Sequence, residues 1–401
     1  MVRRIPWRGV AILAVAATGI AACSSSSKSS SSSAAAGSST TAAAAGSNCS
    51  ATIGFFGALT GSEANLGINE RDGEKLAISQ FEAANPSCKI GETDFDSQGD
   101  PSQAPALAQK AAEDKDLIAL IGPAFSGESK VSDPIFDQAG LPNVTVSATN
   151  PALGTNGWKF WHRAVGTDNS QGPAAAQYLA VTLGAKKVAV IDDGSEYGKG
   201  IADIVRVKLK AAGVTVTDSE SIDPNGTDFS STINNIKANP PDAVFFGGYY
   251  QAAGILVKQM RDAGLKATFM GPDGTEDPGF VKAAGATDAE GSILLAPGTP
   301  PDKLPASFAS AYQALNGLAP ALYSVEAYDA TNALLQGIKA GDTTRASMET
   351  FLSTVDYKGL AVEVKFAPPA NELGSAVVIW ASKVTNGQIV SLAPIPVPSS
   401  S

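Results

Sequence analysis

The sequence has few of the side chains from which proteins build transition-metal and redox centres. Its 401 residues include one histidine and three cysteines. Structural zinc sites use four ligands, mostly cysteine and histidine, so this composition argues against a protein-built metal centre. The histidine, His162, stands between Trp161 and Arg163 in a strand-like stretch. It is the one candidate base for a Ser-His-Asp triad, and we interpret it as a packed structural residue.

The sequence also lacks the common motifs of nucleotide-binding and hydrolytic enzymes. No G-x-G-x-x-G follows a predicted strand, and the nucleophile elbow G-x-S-x-G does not occur. The segment GSEYGKG at 194–200 has one residue too few between its glycines for a phosphate loop, and Gly200 replaces the Ser or Thr that binds magnesium. We interpret this segment as a turn and expect neither a cofactor nor enzymatic activity. Metal-assisted hydrolysis by carboxylates alone is the enzymatic alternative that the residues leave open.

No apolar run after residue 22 is long enough to cross a bilayer. Residues 10–22 form a short apolar stretch behind three arginines, a pattern typical of an export signal. The stretch ends in Ile20-Ala21-Ala22-Cys23, which resembles a bacterial lipoprotein box. That resemblance implies a cleaved signal peptide at 1–22 and a lipid on Cys23. A plain signal peptide with a coincidental cysteine is the alternative.

Residues 23–48 are almost entirely Ser, Ala, Gly and Thr. Without apolar periodicity such a segment cannot bury enough surface to offset its ordering entropy, so we predict a flexible tether. Loss of the signal peptide would remove three arginines and leave a net charge of 26 − 39 = −13. An acidic body of this kind is a poor nucleic-acid binder. We expect a monomer outside the cytoplasm, held at the cell membrane by lipid.

Cys49 and Cys88 each stand just before a predicted strand. If these strands are parallel neighbours, their starts lie side by side, and an exported protein meets an oxidising compartment. We predict a disulfide between the two cysteines, with two free buried thiols as the alternative.

From Cys49 onward, strand-like runs alternate with helix-like runs. The predicted strands are 51–57, 117–124, 143–148, 187–192, 214–219, 243–248 and 267–271. The predicted helices are 68–85, 126–140, 173–183, 199–212, 228–238 and 252–263. Such alternation indicates parallel sheets covered by helices. More than 300 residues exceed one core, so we predict two doubly wound α/β lobes joined at several hinges.

The end of the chain follows a different pattern. Runs at 376–381 and 388–392 flank Asn386-Gly387, a typical turn of a β-hairpin.

Polar and aromatic residues follow several of the predicted strands, where doubly wound sheets bind their ligands. Ser126 opens a helix and suits a carboxylate, although an ordinary helix cap is an equally good reading. Ser147 and Thr149 end another strand. These three residues offer donors for an anion.

The second run of strands supplies an acid and aromatic rings: Tyr197, Tyr249 and Asp273 each follow a strand. Asp273 could hold an ammonium group, although P-D-G is also a turn sequence. Together the two sets fit a zwitterion held between two lobes.

Longer stretches carry a family resemblance. FFGALTGSEANLGINERDG, IGPAFSGES, VSATNPAL, GTDNSQGPAAAQYL, DDGSEYGKG, FFGGYY and AGLKATFMGPDG occur in this order between about residues 52 and 394. They closely resemble the leucine/isoleucine/valine-binding proteins of ABC importers. The resemblance implies a type I periplasmic-binding fold with three crossings and closure like a flytrap. It places lobe one at 49–167 plus 297–373 and lobe two at 168–296 plus 374–394, followed by a tail at 395–401.

The resemblance also implies roles for individual residues. Ser126 and Thr149 would hold the ligand carboxylate, while the Ser147 carbonyl, the Thr149 hydroxyl and Asp273 would hold its ammonium group. The remaining implied ligand contacts are Leu66, Ala124, Phe125, Tyr197, Tyr249, Gly274 and Tyr323.

This sequence departs from the family at three positions. Leu66 stands where the family has a tyrosine, Asp273 replaces a glutamate, and Phe125 stands where a disulfide-bonded cysteine occurs. The implied function is an amino-acid receptor that delivers its ligand to a membrane permease. A receptor for an amide, urea or aromatic acid, and a sensing module for a membrane signalling protein, are the alternatives.

Overall fold

The computed structural model describes residues 49–374 and 377–395. The predicted signal peptide, Cys23 and the tether at 23–48 therefore lie outside the described residues. Within these limits, no helix combines the length and apolarity needed to span a bilayer.

Strands of the first half of the chain form one seven-stranded sheet. Its members are β1 (Ala51–Gly57), β2 (Ile90–Asp96), β3 (Leu117–Ile121), β4 (Asn143–Thr145), β5 (Trp161–Arg163), β13 (Phe366–Ala367) and β14 (Glu372–Leu373). The order across the sheet is β13-β14-β5-β4-β3-β1-β2. All neighbours are parallel except the β13–β14 pair at the edge.

A second seven-stranded sheet follows the same plan. Its members are β6 (Lys187–Asp192), β7 (Thr215–Ser221), β8 (Ala243–Gly247), β9 (Thr268–Gly271), β10 (Ile293–Pro297), β15 (Ile379–Thr385) and β16 (Gln388–Ile395). The order is β16-β15-β10-β9-β8-β6-β7, with β15 and β16 antiparallel. A separate two-stranded sheet pairs β11 (Tyr357–Lys358) with β12 (Glu363–Val364).

Helices connect the strands and cover the sheets. They are α1 (Ala64–Ala84), α2 (Ala104–Glu113), α3 (Ser126–Ala139), α4 (Asp168–Gln177), α5 (Glu196–Ala211), α6 (Ser230–Ala238), α7 (Tyr250–Asp262), α8 (Pro278–Ala284), α9 (Ala286–Ala289), α10 (Ala306–Asn316), α11 (Ser324–Ala340) and α12 (Arg345–Leu352). A π-helical turn at Tyr178–Thr182 extends α4, and short 3-10 turns occur at Pro151–Thr155, Asp273–Thr275 and Pro301–Lys303. The predicted fold class, two doubly wound α/β lobes, is confirmed, although one edge of each sheet is antiparallel.

The chain passes between the two sheets three times. It leaves the first sheet after β5, returns after β10, and crosses again between β14 and β15. We call the elements on the first sheet lobe one and those on the second sheet lobe two. The cleft between the two lobes is therefore lined on each side by the carboxyl ends of parallel strands.

Two sequence patterns account for most of these elements. Strand β3, LIALI, is buried along its whole length, as expected for a strand covered on both faces. It ends before the predicted residue 124, because Gly122 has a φ of 111° and Pro123 has no N–H to donate. The predicted hairpin is confirmed: β15 and β16 pair across Asn386 and Gly387, whose φ values are 52° and 71°.

Helices α1 and α11 approach closely in lobe one. A Cβ atom at Gly73 would lie 2.1 Å from the carbonyl oxygen of Ser324. Only glycine allows this contact, which brings the middle of α1 against the start of α11.

The predicted disulfide is confirmed. Cys49 and Cys88 are bonded, and they precede β1 and β2, which are parallel neighbours. The bond closes a segment with a sequence separation of 39 residues near one end of the first sheet.

We expect reduction of the Cys49–Cys88 bond to lower the free energy of unfolding by about 2–4 kcal/mol, because the reduced chain regains loop entropy when it unfolds. Urea denaturation with and without dithiothreitol measures this change. The C49A/C88A variant is the control, and its midpoint should not respond to the reductant. An equal midpoint for the oxidised and reduced wild-type protein would contradict the expectation.

Candidate functional site

A small cavity lies between the lobes, at the carboxyl ends of the parallel strands. Its lining residues are Leu66, Glu70, Ala124, Phe125, Ser126, Ser147, Tyr197, Tyr249, Asp273, Gly274 and Tyr323. Ten of the eleven residues predicted to contact a ligand are in this set. Thr149 is not, and Glu70 is an addition that the sequence analysis missed.

Asp273 is the central acid of the cavity. It begins a 3-10 turn just after β9 and is 1% exposed. Its carboxylate accepts hydrogen bonds from Gln171 Nε2 at 2.7 Å, from the Tyr197 hydroxyl at 2.5 Å, and from the Tyr323 hydroxyl. Burial raises the pKa of Asp273, while these three donors act in the opposite direction. Because Tyr323 precedes α11 of lobe one, this carboxylate is held from both lobes.

Tyr323 has an unusual backbone conformation. Its φ is 71°, in the left-handed region that bulky side chains avoid. Such a conformation costs about 1–3 kcal/mol and occurs often at functional sites. Here it directs the tyrosine hydroxyl to Asp273.

Gly274 makes room for the aromatic wall of lobe two. A Cβ atom at this position would lie 2.8 Å from Tyr197 Cε1 and 3.0 Å from Tyr249 Cδ1. Its N–H donates to the Tyr197 hydroxyl at 3.0 Å. A larger residue would displace both rings from the cavity.

Aromatic rings from both lobes enclose the cavity. The Phe125 ring packs edge-on against Tyr249, with ring centres 5.3 Å apart, and Tyr249 lies 5.1 Å from Tyr197. Burial raises the pKa values of Tyr197, Tyr249 and Tyr323 well above 10. These hydroxyls are therefore neutral donors at physiological pH.

The opposite wall contains the start of helix α3. Ser126 is the first helical residue, so it is not the helix cap that the sequence also allowed. Its hydroxyl accepts from the Asn150 N–H at 3.2 Å. The first N–H groups of a helix have no acceptor within the helix, so this wall offers donors and a favourable dipole to an anion.

Glu128 lies in the first turn of α3 but does not oppose an anion there. Its carboxyl accepts from the Ser97 hydroxyl and from the Phe125 N–H. Burial raises the pKa of Glu128 to about 8, so at neutral pH it is largely protonated and uncharged.

Thr149 is not among the lining residues of the cavity. It is fully buried, and its hydroxyl has no hydrogen-bond partner among the described residues. Its carbonyl accepts from the Asp168 N–H at 3.0 Å. Its role in binding therefore stays a prediction.

Hydrogen bonds also join the lobes at the rim of the cleft. Asn65 Nδ2, on α1, donates to Asp277 Oδ1 in lobe two at 2.7 Å. Lys130 on α3 pairs with Glu196 on α5 at 2.7 Å. The described conformation is thus a closed one, with contacts on both sides of the cavity.

His162 and the segment at 194–200 agree with their sequence interpretations. His162 is fully buried, and burial lowers its pKa to about 4. It packs against the Phe366 ring, with centres 4.8 Å apart. Ser195 begins α5 by accepting from the Gly198 N–H at 2.9 Å, so the glycine-rich segment is a turn and a helix start.

The chain is similar to known proteins over most of its length. A family model described as periplasmic binding protein matches residues 50–388. A leucine-, isoleucine-, valine-, threonine- and alanine-binding protein of Pseudomonas aeruginosa is 32% identical over 294 residues, which are 72% of this chain and 78% of that protein.

Solved structures show the same architecture. The branched-chain amino acid transporter substrate binding protein of Streptococcus pneumoniae, in complex with isoleucine, has a TM-score of 0.78 at 26% identity, covering 86% of this chain and 99% of that chain. A solute binding protein of R. palustris in complex with benzoate shares the fold, with a TM-score of 0.77 at 20% identity over 86% of this chain and 96% of that chain.

We expect the protein to be more stable at pH 6 than at pH 8.5. Burial raises the pKa values of Glu63, Glu74, Glu128 and Glu326 to about 8. An unfolded glutamate titrates near 4.3. Between these values the folded state binds more protons than the unfolded state, so stability falls as the pH rises.

The urea midpoint at the two pH values measures this effect. E326Q should reduce the difference between the midpoints, whereas E363Q, at an exposed position, should leave it unchanged. A higher midpoint at pH 8.5 than at pH 6 would show that the sign is wrong.

Proposed function

The chain belongs to the periplasmic binding protein family, and from this premise we propose that it is the extracytoplasmic substrate-binding protein of an ABC importer. Its ligand is an amino acid, branched-chain or related, which it binds without chemical change. The relatives described above carry names that state amino-acid binding.

The observation that carries this proposal is the pairing of an acid with an anion-binding wall across one small cavity. Asp273 offers a buried carboxylate from lobe two, and the start of α3 offers donors from lobe one. A zwitterion needs both, because a buried charge without a partner is costly.

Each wall then has a role in holding the ligand. Ser126 and Thr149 bind the carboxylate, while the Ser147 carbonyl and Asp273 bind the ammonium group. Tyr197 and Tyr249 close over the ligand from lobe two. Leu66, Ala124, Phe125 and Tyr323 surround its side chain, and Gly274 leaves the space for the rings of Tyr197 and Tyr249.

The mechanism is closure of a hinge. The open protein binds its ligand on one lobe, and rotation about the three crossings then brings the second wall into contact. The Asn65–Asp277 and Lys130–Glu196 contacts join the lobes in the closed form. A permease recognises the closed form and receives the amino acid.

The localisation completes the proposal. Residues 1–22 direct export, Cys23 carries a lipid, and residues 23–48 tether the body to the outer face of the cytoplasmic membrane. Lobe one comprises 49–167 and 297–373, lobe two comprises 168–296 and 374–394, and the body acts as a monomer.

A second candidate is a receptor for an aromatic acid on the same fold. The aromatic rings around the cavity favour it, and a protein of this fold holds benzoate. Against it, the lining contains two carboxyl groups, Glu70 and Asp273, and no Lys, Arg or His. An acid without an ammonium group would leave both carboxyls without a cation.

We expect D273A to weaken amino-acid binding by about 2–4 kcal/mol, because the ligand ammonium group would be buried without its charged partner. Calorimetry with leucine, valine and threonine measures the loss on whichever binds most tightly to the wild type. D262A removes an exposed aspartate of α7 and should bind like the wild type. Equal affinity of D273A and the wild type would show that Asp273 does not bind the ligand ammonium group.

We expect N65A to weaken binding by about 1 kcal/mol, roughly fivefold, because it removes one hydrogen bond of the closed form. The same calorimetric titration measures it. N235A is the matched control, since Asn235 donates to Glu220 within lobe two. If N65A and N235A bind equally, the rim contact does not contribute to closure.

A further inference from the structure

One carboxyl group in the cavity wall has no partner. Glu70 lies on α1, one turn after Leu66, and lines the cavity. It is 0% exposed, and neither of its carboxyl oxygens accepts a hydrogen bond from any described residue. A buried polar group left in this state is destabilising by about 1–3 kcal/mol, so it calls for an explanation.

The neighbours of Glu70 cannot supply the missing partner. The Ser147 hydroxyl lies near enough to lower the pKa of Glu70, but it donates its one proton to the Ala124 carbonyl at 2.5 Å and so leaves the Glu70 carboxyl without a donor. Tyr323 gives its proton to Asp273. Burial raises the pKa of Glu70, and the neighbouring acids Glu128, Glu326 and Glu74 act in the same direction.

Other buried acids differ from Glu70 in their surroundings. Glu128 has two hydrogen-bond donors, Ser97 and the Phe125 N–H. Asp133 and Asp168 also have both oxygens without partners, but neither lines the cavity. In the part of the chain that the structure describes, Glu70 alone combines an unpartnered carboxyl with access to the ligand.

We propose that Glu70 is a specificity-determining residue that accepts a hydrogen bond from the side chain of the bound amino acid. The protein then selects α-amino acids whose side chain carries a hydroxyl, amide or ammonium group. This inference rests on the proposed function, in which Asp273 and the Ser147 carbonyl already hold the α-ammonium group. Leu66 and Glu70 occupy one face of α1, so Glu70 is the polar part of the side-chain pocket.

The selectivity has an energetic reason: ligand side chains of the same size differ in binding free energy according to whether they donate a hydrogen bond to Glu70. A side-chain donor pairs Glu70, whereas a methyl group of the same size leaves its carboxyl buried and unpaired. Sites built around a hydrogen bond reject analogues that lack it far more strongly than apolar pockets reject a missing methylene.

Three amino acids of equal side-chain length test the proposal on the wild-type protein. Homoserine, 2,4-diaminobutyrate and norvaline end in a hydroxyl, an ammonium and a methyl group, and calorimetry gives the affinity of each. We expect the first two to bind at least about tenfold more tightly than norvaline. Norvaline binding as tightly as homoserine and diaminobutyrate would overturn the proposal.

Two substitutions at Glu70 and one matched control assign the effect to this residue. E70M should bind norvaline more tightly than homoserine, because it replaces the carboxyl with an apolar chain of similar length. E70Q should keep the preference for homoserine but lose that for diaminobutyrate. E74M changes a buried glutamate of the same helix that does not line the cavity, and it should keep the wild-type order. A wild-type order in E70M and E70Q would also overturn the proposal.

This experiment distinguishes a failure of the Glu70 proposal from a failure of the proposed function. Binding of norvaline, leucine and valine without any dependence on Glu70 would end the inference and keep the amino-acid receptor. No binding of any α-amino acid would end the proposed function itself.

Discussion

The structure depends on one constraint: a carboxylate, Asp273, is buried between two lobes and must receive its hydrogen bonds from both. Gln171 and Tyr197 approach from lobe two, and Tyr323 approaches from lobe one. Several otherwise unusual features follow from this requirement. Tyr323 accepts a left-handed backbone, position 274 must be glycine, and α1 and α11 pack through Gly73 so that Tyr323 reaches the cleft. Closing the lobes therefore also completes the set of hydrogen bonds to the Asp273 carboxylate.

The cavity is acidic, and this shapes both its chemistry and its energetics. Its wall has two carboxyls and no cationic side chain, while further buried glutamates stand behind it. Burial raises the pKa values of Glu128 and Glu326 behind the wall to about 8, so these two acids are largely neutral at pH 7. A site with this composition is poorly suited to an anion without an ammonium group. It suits a ligand that brings its own positive charge and, at Glu70, a second donor.

The sequence predicts most of the lobe architecture, because its patterns are local. Buried strands such as LIALI, and glycine and proline at helix ends, mark the elements within a few residues. The short strands between 357 and 373 escape prediction, because strands of two residues have no periodicity to detect. The residues of the site are predictable from their positions after strands and from family resemblance. Glu70 is not predictable in this way, because an acidic residue in a helix is usually exposed to solvent. Its burial depends on the packing of α11 against α1, which the sequence does not reveal. The one indication in the sequence is that Glu70 follows Leu66 by four residues, which places both on the same face of a helix.

The central claim is that the cleft neutralises both ends of a zwitterion, and ligands that lack one end test it most directly. Threonine, 3-hydroxybutyrate and 1-amino-2-propanol share a hydroxyl-bearing chain, and the last two lack the ammonium and the carboxylate respectively. Neither analogue is larger than threonine, so a loss of affinity cannot come from steric exclusion. Calorimetry should show both analogues binding more weakly than threonine by at least about 2 kcal/mol, because each leaves a buried group of the protein without its charged partner. If either analogue binds as tightly as threonine, the cleft does not hold a zwitterion.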